Sequence, residues 1–340
     1  SLRSKDIMLV ARTHNVPAQP TTLGKRLAMF GEEILFALKR LDHLIEHYPL
    51  RGLQGAVGTR LDQLVLLNGD KKKVRQLSEQ ILKYLDCSVS FNAVGQVYPR
   101  SLDVETVQAL ISLSSGISSF ARTLRLMAGQ GLASEGFQQG QVGSSAMPHK
   151  MNARTSERIN GFHQILNGYG TMLSGLSGDQ WNEGDVSCSV VRRVALPGAF
   201  FAADGQLEAV LTVLSEMGFY ENAIAQELKQ YLPFLASTTL LMEAVRSGGG
   251  RESVHEAIKA HAVVVAEALR NGEQSENDLV QRLADDERVP LDLQEIMAVL
   301  NDPQRFAASA PEQAEKFAEE VGKWTKRFPE AKELVPEALL

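Results

Sequence analysis

The stretch TLGKRLAMFGEEILFALKRLDHLIEHYP (residues 22–49) places Leu23, Leu27, Phe30, Ile34, Leu38, Leu41 and Ile45 at steps of three and four. That spacing keeps one apolar stripe on one face of a helix for roughly six turns. Thr22 supplies a side-chain oxygen to cap the helix start, and His47-Tyr48-Pro49 stops it. Three more stripes follow. One holds Val104, Val107, Ile111, Ile117, Phe120, Leu124 and Met127 and ends before the glycine-rich segment Gly129 to Gly143. Another holds Ile159, Phe162, Leu166, Tyr169, Met172 and Leu176, and the last begins near Ser189 and runs through Val194, Phe200, Leu207, Val210 and Leu214. Long helices with narrow apolar seams pack lengthwise. These seams are long for a compact domain, so the pattern predicts a homo-oligomeric bundle in which part of each seam faces another subunit. A monomeric bundle with its seams turned inward is the alternative.

The chain has 340 residues, more than one ordinary core holds. Composition shifts at Gly248-Gly249-Gly250, and shorter helices are predicted over 251–269, 276–284, 292–300 and 311–328. Asn271-Gly272 and Asn301-Asp302-Pro303 punctuate them. The expected fold is all-α: a central long-helix bundle over 1–230 and a small C-terminal helical domain over 231–340. Hydrophobic content of 44% and charged content of 22% suit a soluble globular protein. The net charge of -6 argues against a nucleic-acid partner, which asks for a basic field. No apolar run approaches membrane-spanning length. Cys87 and Cys188 are the only cysteines and show no zinc or disulfide spacing. With no signal peptide visible, a reducing, cytoplasmic compartment is expected.

Several segments are candidates for chemistry. His43-Leu44-Ile45-Glu46-His47 matches the H-x-x-E-H pattern of zinc proteases. Pro49 ends the helix at once and no third ligand is suggested, so the favoured reading is a solvated helix end. His255 and His261 share no helix face well and read as surface or interface histidines. The segment Gly52 to Thr59 lacks the G-K-[ST] ending of a phosphate loop and reads as a connection with close backbone packing. In RTHNVPAQPTT (residues 12–22), two prolines exclude a helix, so His14 is expected on a stiff turn beside a helix start, a fair place for an acid or base. GSSAMPHKMNARTSER (residues 143–158) combines two serines with Pro148, with Lys150 just before a helix start and with Asn152 as a possible cap. That is an anion-binding loop, or equally a solvated loop with a routine cap.

The stretch GSSAMPHKMN resembles the G-S-S-x-M-P-x-K-x-N loop of the fumarase/aspartase superfamily. RTHNVPAQPTT is similar to a second signature region of that superfamily in its adenylosuccinate lyase branch, as are Gly95 to Arg100, Ser156 to Arg158 and Trp181 to Glu183. The resemblance extends over essentially the whole chain. It implies homotetramers around a bundle of long helices, with active sites shared by three subunits and no metal or organic cofactor. It implies β-elimination that releases fumarate from adenylosuccinate and from its carboxamide-ribotide counterpart, small-molecule substrates of purine synthesis. Ser144 would be the base and His14 the acid, oriented by Glu157. Lys150 and Asn152 would hold the succinyl carboxylates. Thr13, Gln96, Ser145, Arg158, Ser189 and Arg193 would contact substrate.

The sequence departs from the family pattern in three places. Ala153 follows Asn152 where many relatives have proline. Gly184 follows the Trp-x-Glu element where many have arginine. The chain opens SLRSKDIMLVARTH, without the N-terminal domain and further active-site histidine of the family, so an upstream segment is expected to be absent here. The alternatives are another fumarate-releasing lyase of the superfamily, such as argininosuccinate lyase or fumarase, or a helical scaffold that keeps the fold without activity.

Overall fold

The computed structural model describes residues 1–136 and 150–335. A hairpin of strands β1 (Met8–Thr13) and β2 (Val16–Thr22) leads directly into helix α1 (Leu23–Glu46). Thr22 caps that helix as expected, its Oγ1 accepting from the Lys25 N–H at 3.2 Å. After α1 come the short α2 (Leu61–Leu66) and α3 (Lys71–Tyr84), which the sequence reading passed over. Asp70 starts α3, its carboxylate accepting from the N–H groups of Lys72 and Lys73. The other three expected stripes are α4 (Ser101–Gly129), α5 (Arg154–Ser174) and α6 (Ser187–Glu216).

The chain divides into two compact units, and not at residue 230. One unit joins Ser1–Met29 to Phe219–Lys332, and the other is built on Phe30–Gly218. The first residues belong with the C-terminal helices because β1 is apolar. Met8 and Val10 are buried in a core with Leu228, Leu232, Leu240, Val254, Leu279 and Ile296.

In that unit β1 packs on α7 (Glu221–Leu235), followed by α8 (Ser237–Arg246) and α9 (Arg251–Asn271). Gly272, with φ 73°, closes α9 in the left-handed conformation that the Asn-Gly pair predicts. Then come α10 (Leu279–Ala284), α11 (Leu293–Leu300) and α12 (Ala310–Arg327). Asp292 and Glu295 form a reciprocal capping box at the start of α11.

In the other unit α5 packs between α4 and α6. Val107, Ile111, Leu166, Leu173, Ala195 and Ala199 are among the residues of its core. Glycine lets the backbones approach: a Cβ on Gly198 would stand 2.4 Å from the Tyr169 ring. Two side-chain amides, of half-buried Asn160 and buried Gln206, tie the helices. Asn160 Nδ2 donates to the Ser118 carbonyl at 2.9 Å, and Gln206 Nε2 donates to the Ile159 carbonyl at 3.0 Å. His163 Nδ1 lies 2.8 Å from Ser114 Oγ.

Burial pushes His163 below its ordinary value of 6.5, with Arg122 adding to the depression and Glu33 opposing it. The unfolded chain therefore holds this proton more tightly than the folded one. The contribution of His163 to stability is complete above its ordinary value and is lost as pH falls through it. His163→Gln is expected to flatten the acid loss of stability, read from urea midpoints on either side of that pH.

Candidate active site

The site residues expected from the sequence fall into three groups. The first lies on the hairpin. Thr13 pairs with Val16, leaving His14 and Asn15 as a two-residue loop. Both have positive φ, 53° and 62°, the geometry of a type I′ turn. A histidine in the left-handed region is strained by roughly 1 kcal/mol or more. Thr13 and His14 are exposed. The hairpin is fixed electrostatically. Arg12 pairs with Glu227 of α7, both side chains being mostly buried, and Arg26 of α1 donates to the Val10 carbonyl at 2.8 Å. Burial pushes the Arg26 guanidinium down to about 10 against the upward pull of Glu227.

The second group surrounds the start of α5. Lys150, Asn152 and Glu157 line an open cleft of about 590 Å³ together with Arg122 and Arg125 of α4. Arg125 pairs with Glu157 at 3.6 Å and donates to Asn160 Oδ1 at 2.9 Å. Among the described lining residues, three cations and a single carboxylate leave this cleft net positive, which suits a dicarboxylate. Sequence reading missed both arginines, because on the polar face of α4 they look like a solvated surface. Arg158 is exposed at the same helix start. Ser144 and Ser145 lie outside the described residues.

The helix start itself is not the expected anion site. Glu135 already takes it: its carboxylate accepts from Thr155 N–H at 2.9 Å, Ser156 N–H at 2.8 Å and Ser156 Oγ at 2.9 Å. The expected cap at Asn152 is likewise corrected. Ala153 occupies the cap position without a side-chain cap, and Glu135 satisfies the helix amides from across the chain.

The third group sits where α6 begins. Ser189 and Arg193 lie on its first turns, and Gln96 docks against the preceding loop, its N–H donating to the Glu183 carbonyl at 2.7 Å. A Cβ on Gly184 would stand 2.6 Å from Gln96 Oε1. Arginine there would displace Gln96, which accounts for glycine at this departure from the family pattern. A buried network holds the loop. Tyr98 OH donates to Asp103 Oδ1 at 2.7 Å, Arg192 Nε lies 2.7 Å from Asp103 Oδ2, and Arg100 NH1 donates to Oδ2 at 3.1 Å. Burial, and then the bond to Asp103, pushes the Tyr98 phenol up to about 12. The segment Gly52 to Thr59 is a packing connection, as read from the sequence. Gly58 has φ 84°, and a Cβ there would lie 1.9 Å from the Val94 carbonyl oxygen.

The second and third groups do not meet within one chain. Helices α4 and α5 are antiparallel, Glu157 facing Arg125 while Gly170 faces Ile111. Helices α5 and α6 are antiparallel too, Gly205 facing Phe162 while Gly198 faces Tyr169. Lys150, Asn152, Glu157 and Arg158 therefore stand at one end of the bundle, and Gln96, Ser189 and Arg193 at the other. About twenty helical residues, roughly 30 Å, separate them. His14 belongs to the other compact unit.

Residues 1–166 match the lyase family, and residues 233–317 match the adenylosuccinate lyase C-terminus family. An adenylosuccinate lyase of Saccharomyces cerevisiae is 32% identical over 94% of this chain and 66% of its own length. That of Schizosaccharomyces pombe is 33% identical over 93% of this chain and 65% of its own. A 3-carboxy-cis,cis-muconate lactonizing enzyme from Pseudomonas putida shares the fold, with a TM-score of 0.79 at 21% identity, over 95% of this chain and 69% of its own. A fumarate lyase from a Mesorhizobium species gives 0.74 at 18% identity, over 93% and 67%. The chain belongs to the fumarase/aspartase superfamily, in its adenylosuccinate lyase branch. It spans about two thirds of the length of the curated relatives it matches.

Proposed function

We propose that this protein is a lyase that eliminates fumarate from adenylosuccinate, giving AMP, and from SAICAR, giving AICAR, in purine nucleotide synthesis. Ser144 removes the proton from the carbon beside a carboxylate. The C–N bond breaks, the C=C bond of fumarate forms, and His14 protonates the departing nitrogen. Lys150 and Asn152 hold the succinyl carboxylates and stabilise the charge that builds up before the bond breaks. Glu157 orients His14, while Thr13, Gln96, Ser145, Arg158, Ser189 and Arg193 grip the rest of the substrate. Arg122 and Arg125 add positive charge to the carboxylate cleft. Proton transfer and charge stabilisation meet the needs of this reaction without a cofactor.

The observation that carries this reading is the separation of the site residues to opposite ends of one antiparallel bundle. A site that uses both ends needs more than one chain, and we infer a homotetramer with active sites shared by three subunits. The outer face of α6 supports it. Its inward face is alanine (Ala195, Ala199, Ala202, Ala203), while Val190, Val194, Phe200 and Phe201 are exposed on the other side. Large apolar side chains exposed along one helix face call for cover. Among the described residues no helix is long and apolar enough to cross a membrane. Free Cys87 and Cys188 suit the reducing cytoplasm where we place the protein.

Shared sites predict complementation. His14→Gln and Lys150→Met proteins, each inactive alone, are expected to regain fumarate release from adenylosuccinate when mixed through unfolding and refolding. A mixture as inactive as its components argues against sites built from different chains.

A further inference from the structure

The last turn of α1 carries side chains that the proposed reaction does not use. His43, Glu46 and His47 are exposed, and one ring nitrogen of each histidine and a Glu46 carboxylate oxygen lie within 4.8 Å of one another. Residues four apart share a helix face, and the two imidazole centroids stand 4.2 Å apart. His47 Nδ1 lies 3.0 Å from the His43 carbonyl oxygen. That oxygen only accepts, so the proton is on Nδ1 and the lone pair on Nε2. A backbone carbonyl in this position fixes the tautomer of a ligating histidine. The sequence alone suggested no third ligand; the folded helix supplies one from within the motif.

We propose that His43, Glu46 and His47 bind one divalent transition-metal ion of the Zn²⁺, Ni²⁺ or Cu²⁺ class. Two imidazoles and a carboxylate match the donor preferences of these ions, whereas Mg²⁺ and Ca²⁺ take oxygen shells. Three side chains leave the remaining coordination to water. The place favours a cation, since the last carbonyls of a helix carry partial negative charge. The ion clamps a turn to which Ser88 is already attached, its Oγ donating to the Glu46 carbonyl at 2.8 Å. The chain then runs on to Arg51, which donates to the Gly95 carbonyl at 2.8 Å beside Gln96.

Calorimetric titration of the untagged full chain with Zn²⁺, and separately with Mg²⁺, tests this. The expected result is one Zn²⁺ per chain and a Tm that rises with Zn²⁺, with no response to Mg²⁺. His43→Gln and His47→Gln should each weaken Zn²⁺ binding by about tenfold or more, and Cys87→Ser should leave it unchanged. Circular dichroism of each variant establishes that it is folded. Unchanged Zn²⁺ affinity in both histidine variants, or a loss in Cys87→Ser instead, would overturn the proposal.

Discussion

His14→Gln is expected to lower kcat for adenylosuccinate by about 10²–10⁴-fold while changing KM little. Glutamine can keep a hydrogen bond but cannot deliver a proton to the leaving nitrogen at neutral pH. The structural setting favours this role. The imidazole stands at the tip of a type I′ turn, exposed, on a hairpin pinned by Arg12, Glu227 and Arg26. Nothing in the packing of the hairpin needs a histidine there, and its positive φ is better suited to Asn or Gly. Steady-state kinetics with adenylosuccinate checks the prediction. Ordinary kcat in this variant removes His14 from the acid role.

Ser144→Ala is expected to lower kcat by about 10³-fold or more and to leave the oligomer intact. A serine hydroxyl is a weak base, so in this role its alkoxide needs stabilisation by neighbouring cations and N–H groups. Loss of the hydroxyl then removes the proton acceptor. Kinetics together with light scattering separates the two effects. Near-normal turnover refutes the role, and loss of the oligomer shows that the variant acts through folding instead.

The long helices were legible because their stripes have helical period and enough length to exclude strands. Stripe residues such as Leu23, Val107, Leu124, Ile159 and Leu166 are buried. Helix α6 was legible as a helix but not in its facing. Of the residues read as its seam, Val210 is buried but Val194, Phe200, Leu207 and Leu214 are exposed, and the buried face is mostly alanine. Alanine carries too little hydrophobicity to declare a seam beside Phe and Val. The hairpin was missed for a different reason. Its turn is His-Asn rather than Asn-Gly, and Pro17 and Pro20 in β2 read as breakers although an edge strand tolerates them.

The candidate site was legible where it is local and obscure where it is not. The resemblance rests on contiguous motifs, so Lys150, Asn152, Glu157 and His14 could be named. Glu135 takes helix amides twenty and twenty-one residues away, and Arg122 and Arg125 reach the cleft from a different helix. No spacing in the sequence announces those contacts. Nor does any motif say that Gln96 and Lys150 stand at opposite ends of a bundle, which follows only from the antiparallel order of α4, α5 and α6.

One assay separates the reactions open to this superfamily. The protein is incubated in parallel with adenylosuccinate, argininosuccinate and malate, and fumarate, the common product, is followed. Fumarate is expected from adenylosuccinate alone, with AMP formed one for one. Fumarate from argininosuccinate or malate, with adenylosuccinate left intact, would contradict it.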